Sequence, residues 1–130
     1  MLEPADEALM ERATRLIASL PEREEHTVAA AARAMNGEVY LGLNLYHFTG
    51  GPCAEPVAMA VAAIHTAAPL EVIVAVANRG RRVIAPCGRC RQMLFDYYPN
   101  VDVLVPDASG VTRVSVRTLL PHTYDWRAQR

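Results

Sequence analysis

In CAEPVAMAVAAIHTAAPLEVIVAVA (residues 53–77) an alanine-rich run that is apolar nearly all round gives way to the β-branched run EVIVAVA. The first part reads as a buried helix over residues 54–67. Proline is tolerated only in the first turn of a helix, so Pro56 sets the start at about Cys53. The second part, residues 71–77, has the composition of a central strand covered on both faces. A buried helix feeding a central strand points to stacked helical and sheet layers.

Reading toward the N-terminus, NLYHFTGG (44–51) is a loop punctuated by two glycines. TVAAAARAM (27–35) and EVYLGL (38–43) flank Asn36-Gly37, a strong hairpin signal, which predicts two antiparallel strands. The alanines of the first favour helix locally, so the strand assignment there rests on the turn. EREEH (22–26) is a polar connector. Residues 5–20 place Leu9, Ala13, Leu16, Ile17 and Leu20 on one helical face, and Pro21 ends the pattern. Toward the C-terminus, residues 78–80 turn the chain and 82–85 form a short strand. A helix over 88–98 stops at Pro99-Asn100. Strands over 101–105 and 111–116 enclose a turn at 108–110, and a short helix at 118–120 precedes the tail HTYDWRAQR. This order predicts one α/β domain over residues 1–130, with about five strands and helices on both faces.

The 130 residues are 52% hydrophobic and 21% charged, with a formal charge of −1. That balance gives no electrostatic footprint for nucleic acid or an anionic membrane, although RGRR (79–82) is locally basic. No apolar run approaches the roughly 18 residues that span a bilayer. The N-terminus MLEPADEALMERA is acidic and periodic, unlike a signal or transit peptide, so a cytoplasmic protein is expected.

Three cysteines make a poor disulfide framework, and all lie between positions 53 and 90. In a reducing compartment such clustering points to metal or redox chemistry. Cys87 and Cys90 in PCGRC share one face of a helical first turn, and Cys53 also starts a helix. Two helix N-termini aimed at one spot would favour thiolates through their dipoles. Three thiolates suit zinc and leave a tetrahedral position for water, which there loses a proton near neutral pH. Glu55, two residues beyond Cys53, would stand beside the metal and can shuttle protons. Other readings remain: the cysteines as buried small apolar residues, a structural zinc with His47 or another histidine as fourth ligand, or a redox pair at Cys87 and Cys90. His26, His47, His65 and His122 need no functional role, and His65 near a helix end complements the dipole.

Cys-Ala-Glu followed by Pro-Cys-x-x-Cys resembles the zinc-dependent cytidine deaminase superfamily. YHFTGGPCAE (46–55), APCGRCRQ (85–92), their spacing and LLPHTYDW (119–126) are similar to its blasticidin S deaminases, from about Glu11 to Trp126. The resemblance implies a three-layer α/β/α sandwich with a mixed sheet of about five strands. It implies one zinc ion on Cys53, Cys87 and Cys90, with Glu55 moving the protons that convert a cytosine ring to uracil and ammonia. Asn44 matches the residue that holds the nucleoside sugar, and Thr27 a small hydroxyl residue of the pocket. Arg81, Tyr124 and Trp126 match pocket positions, the two aromatics closing over the substrate from the tail. Such proteins assemble as homotetramers with sites completed between subunits.

Tyr46 stands where ordinary cytidine deaminases carry a ribose-gripping glutamate, and the loop to Cys53 is shorter than theirs. Both favour blasticidin S as substrate. Pro56, the turn ANRGRR (77–82) and a shorter final hairpin depart from the pattern. An ion with three thiolates carries a net −1, which an arginine near the sulfurs offsets: Arg89 first, Arg91 second. Arg81 either grips a substrate carboxylate or is an exposed turn charge. Tyr124 and Trp126 either stack on substrate or pack the terminus, and Asn44 is alternatively a plain loop residue. Two other functions fit the motif: salvage deamination of cytidine, and nucleoside binding by a zinc-stabilised relative without turnover.

Overall fold

In the computed structural model, which describes residues 2–129, the chain begins with helix α1 (Pro4–Ala18). Pro4 sits in the first turn, where its missing N–H forfeits no hydrogen bond, and Asp6 and Glu7 complement the positive end of the dipole. Leu9, Ala13 and Ile17 form the buried stripe. The helix stops two residues before the expected Leu20, because the Ser19 N–H closes back on the Arg15 and Leu16 carbonyls.

Strands β1 (Val28–Ala34) and β2 (Val39–Leu43) form the predicted hairpin, antiparallel from Ala29 opposite Leu43 to Arg33 opposite Val39. At its tip Gly37 adopts φ +88°, and Asn36 Oδ1 accepts the Glu38 N–H at 2.9 Å. The alanine run is therefore strand, against its local preference. Ala29 and Ala31 face α1, while Ala30, Ala32 and Ala34 face helix α2 (Ala54–His65). Small side chains let helices cover both faces closely, and that tertiary burial outweighs helix propensity. Gly42 of β2 serves the same approach: a Cβ there would lie 2.4 Å from the Ala58 backbone nitrogen.

Strand β3 (Leu70–Ala77) follows α2, and a short 3-10 turn (Arg79–Arg81) leads to β4 (Val83–Ile84). Helix α3 (Gly88–Tyr97) connects to β5 (Asp102–Asp107), which pairs with β6 (Gly110–Ser115). The last strand ends one residue early because Val116 begins a 3-10 helix (Val116–Leu119), with Ser115 Oγ accepting the Arg117 N–H. The short helix expected at 118–120 thus starts two residues sooner. A final 3-10 turn spans Trp126–Gln129.

The sheet order is β2-β1-β3-β5-β6, with β4 on the C-terminal half of β3. Only β3 and β5 are parallel, so the sheet is mixed, as expected, with two-residue β4 as a sixth strand. Helix α1 covers one face with Leu9, Ala13 and Ile17 against Val72, Val74, Val76 and Leu104. Helices α2 and α3 cover the other, with Met59, Ala62, Leu94 and Phe95 against Ile73, Val101 and Val103. The result is the three-layer α/β/α sandwich, and among the described residues no helix is long and apolar enough to cross a membrane.

One end of the sheet on the α1 face carries a charge cluster. Asp6, 1% exposed, accepts hydrogen bonds from Arg33 at 2.9 Å and Arg113 at 3.2 Å. Arg33 also donates to Glu71 at 3.2 Å and to Ala5 O at 3.0 Å, and Arg113 to Asp102 at 2.8 Å. Burial pushes the Asp6 carboxyl up, but the bonds from the two guanidinium groups more than reverse this and hold it below the usual range.

Candidate active site

Cys53 and Cys87 occupy the same position in two helices. Each is the residue before the first turn, of α2 and α3 respectively, with nearly identical extended backbone (φ −69°, ψ 168° and φ −68°, ψ 167°). Both follow proline, which holds Gly51 and Ala85 out of helix, so neither helix extends back past its proline. Cys90 lies in the first turn of α3, 1% exposed. The three Sγ atoms lie within 4.8 Å of one another, with Cys53 and Cys87 at 3.8 Å.

That spacing suits a tetrahedral ion. With Zn–S bonds of about 2.3 Å, ligand sulfurs sit roughly 3.8 Å apart. Three soft donors on one side leave a fourth direction open, and Glu55 projects from the first turn of α2 beside it, 5% exposed. The residues therefore fit a zinc ion.

The two helix N-termini make this corner electropositive in backbone terms, yet the side chains gathered there are acids. Burial raises Cys53, with the neighbouring thiols acting in both directions. Burial and the Glu55 carboxylate raise Cys90 strongly. Cys87 is drawn below its ordinary value despite burial, by the first-turn N–H groups of Cys90 and Arg89 and by the other thiols. Burial also raises Glu55, tempered by its own backbone N–H and the Cys90 thiol.

The sulfurs open into a cleft of about 220 Å³ lined by Val28, Asn44, Tyr46, Glu55, Ile84 and Ala85, among others. A larger cavity of about 350 Å³ lies between Glu22, Glu24, Thr27, Val28, Asn78 and Arg79. It contains no thiol, so the chemistry belongs to the smaller one, and Val28 borders both.

The predicted residues divide between the cleft and its surroundings. Asn44 and Tyr46 line the cleft. The Asn44 amide is also structural: Oδ1 accepts the Thr27 and Val28 N–H groups at 2.8 and 3.0 Å, and Nδ2 donates to Thr27 Oγ1 at 3.0 Å. Thr27 thus stands behind Asn44 and lines the larger cavity. Arg81, at φ +48°, is exposed on the turn before β4 and does not line the cleft.

Tyr124 and Trp126 lie on the flank of α3. Gln92 donates to Tyr124 O and accepts from Thr123 Oγ1, and Arg127 donates to Asp96 O while its guanidinium covers the Trp126 ring. Neither aromatic lines the cleft of its own chain. Arg89 is exposed and, among the described residues, its guanidinium has no hydrogen-bond or ion-pair partner; Arg91 is bonded to main-chain carbonyls. Sequence reasoning missed Val28, Ile84 and Ala85 as cleft walls. Their only signal was position: Val28 at the start of β1, and Ile84 and Ala85 just before Pro86 and the Cys-x-x-Cys turn.

No family model matches the chain. It is 32% identical over 128 residues to the blasticidin-S deaminase of Bacillus cereus, covering 92% of this chain and 91% of that one. Cytidine deaminase from Mycobacterium tuberculosis superposes with a TM-score of 0.77 at 25% identity, over 95% of this chain and 99% of that one. The Burkholderia pseudomallei cytidine deaminase gives 0.74 at 27% identity, over 91% and 98%. The Mycobacterium leprae enzyme, at 24% identity and TM-score 0.76 over 92% and 99%, shares the fold. With two helix-capping cysteines, a third in the Cys-x-x-Cys turn and a buried Glu55 in that same architecture, the chain is an enzyme of the blasticidin-S deaminase family, within the cytidine deaminase superfamily.

Proposed function

We propose that the protein hydrolytically deaminates the cytosine ring of the nucleoside antibiotic blasticidin S, releasing ammonia and conferring resistance. One observation carries this reading: three thiols within 4.8 Å of one another, with the buried Glu55 beside them, opening into a cleft. Cys53, Cys87 and Cys90 would hold one zinc ion. When bound, zinc supplies Lewis acidity that lets water give up a proton near neutral pH.

The proton transfers fall to Glu55. Its carboxylate carries one proton of the attacking water to ring N3 and the second, from the oxygen then on C4, to the departing amino nitrogen. Water adds at C4 and the C4–N bond then breaks, so cytosine plus water gives uracil plus ammonia. Burial removes bulk water from around this carboxylate, which strengthens its hydrogen bonds to substrate.

Around the ring, Asn44 holds the sugar, and Thr27 fixes the Asn44 amide. Tyr46 occupies the cleft where a carboxylate would repel the acidic group of blasticidin S. Arg81 supplies the guanidinium for that group from the turn before Ile84, and Arg89 offsets the net negative charge of the ion and its thiolates. Tyr124 and Trp126, turned away from their own cleft, complete the site of a neighbouring copy in a homotetramer. Their exposure, 61% and 37% in the single chain, supports this placement.

Absorbance change on incubation with blasticidin S or with cytidine tests the proposal. Turnover of blasticidin S is the expected result. Turnover of cytidine alone would replace it with a salvage deaminase, a reading favoured by the fold shared with cytidine deaminases. Turnover of neither would leave a nucleoside-binding relative.

A further inference from the structure

Arg91 is in the first turns of α3, where the positive end of the helix dipole disfavours a cation. Its bonds show what keeps it there. Nε donates to Pro86 O at 2.8 Å, and Nη1 donates to Leu119 O at 3.3 Å. Its backbone N–H closes on Cys87 O at 2.9 Å, so side chain and main chain grip the peptides on either side of Cys87.

The second carbonyl is a fixed anchor. Leu119 ends the 3-10 helix that begins at fully buried Val116, and Leu119 and Leu120 pack on the same core as Leu94 and Phe95 of α3. The carbonyl end of that short helix carries the negative side of its peptide dipoles, which suits a guanidinium. One planar fork therefore ties the residue preceding Cys87 to an anchor 28 positions from Arg91. Neither acceptor is a carboxylate, so this is orientation of main chain and not an ion pair.

We propose that Arg91 is the positioning residue of the thiol cluster: by bridging Pro86 O and Leu119 O it holds the turn carrying Cys87 and Cys90 at the separation a shared ion requires. The inference rests on the reading of these thiols as metal ligands. Arg89, two residues away, makes no such bond among the described residues. Lysine keeps the charge but is a point donor on a flexible stem, and it cannot reproduce the two-carbonyl fork. Glutamine lacks both the reach and the charge.

The test uses the full chain, stripped of metal, as Arg91→Lys, Arg91→Gln and Arg12→Ala. Each is titrated with cobalt(II) while the sulfur-to-metal charge-transfer band is recorded, and zinc affinity is measured against a chromophoric chelator. Circular dichroism of the metal-free proteins reports folding. The expected result is normal secondary structure in all three, with zinc bound about 10–100-fold more weakly by both Arg91 variants. Their cobalt bands should be altered, the lysine variant less so than the glutamine variant, while Arg12→Ala, on the exposed face of α1, matches the original. Arg91 variants with the original affinity and spectrum would overturn the proposal. So would loss of the metal-free fold, since the fork would then hold the domain and not the turn. An original protein that binds no cobalt would instead remove the ligand reading itself.

Discussion

Two groups of ionisable side chains lie at opposite ends of β3 and on opposite faces of the sheet, and their charges are balanced differently. On the α1 face, Asp6, Glu71 and Asp102 meet Arg33 and Arg113, and each buried charge finds an opposite one within the chain. Beneath α2 and α3, three thiols and Glu55 converge, acids only, with two helix N-termini behind them. The first group pairs its charges within the chain and locks α1 to the sheet. The second, gathered by the same fold, brings three thiols close enough to share a metal ion.

The contrast is sharpest for a ligand. Cys90→Ser should cut bound zinc from one per chain to near zero and abolish deamination, read by elemental analysis and the absorbance assay; full zinc content would detach Cys90 from the ion. Next comes Glu55→Gln, expected to retain metal while turnover falls by about 10²–10⁴-fold. Retained activity would take proton transfer away from Glu55.

At the other end the expected effects are on stability alone. Asp6→Asn leaves Arg33 and Arg113 facing a neutral amide and should cost about 3–5 kcal/mol in urea unfolding, with zinc content of the folded protein unchanged. Loss of metal alongside stability would show that the two ends are coupled. A smaller effect follows from acid. Because the folded-state Asp6 carboxyl lies below its unfolded value of about 3.9, its contribution is present above that pH and fades as pH falls through the folded value. Unfolding free energy should therefore drop more steeply below about pH 4 in the original protein than in Asp6→Asn, whose amide does not titrate. Parallel profiles would place the acid-sensitive charge elsewhere.

The two regions also differ in how readable they were. Cys53, Glu55, Cys87 and Cys90 sit in two short motifs with turn residues beside them, so local spacing was enough to single them out as one candidate cluster. The charge cluster was not announced: Arg33 stood out in an alanine run, but its partner Asp6 is 27 residues away, and Asp6 meets Arg113 across 107. Pairing at that separation depends on the sheet order, which no local pattern encodes. The alanine strand was legible only through its Asn36-Gly37 turn, since Ala29–Ala32 favour helix until two layers bury them. Tyr124 and Trp126 were readable as residue types but not in place, because the bonds of Gln92 and Arg127 that dock the tail join segments about 30 residues apart.

X-ray absorption at the zinc edge of the purified protein is the most direct check on the acid-only end. The expected spectrum has three sulfurs at about 2.3 Å and one nitrogen or oxygen neighbour at about 2.0 Å, at one zinc per chain. Zinc-free protein, or a first shell with fewer than three sulfurs, would contradict the site.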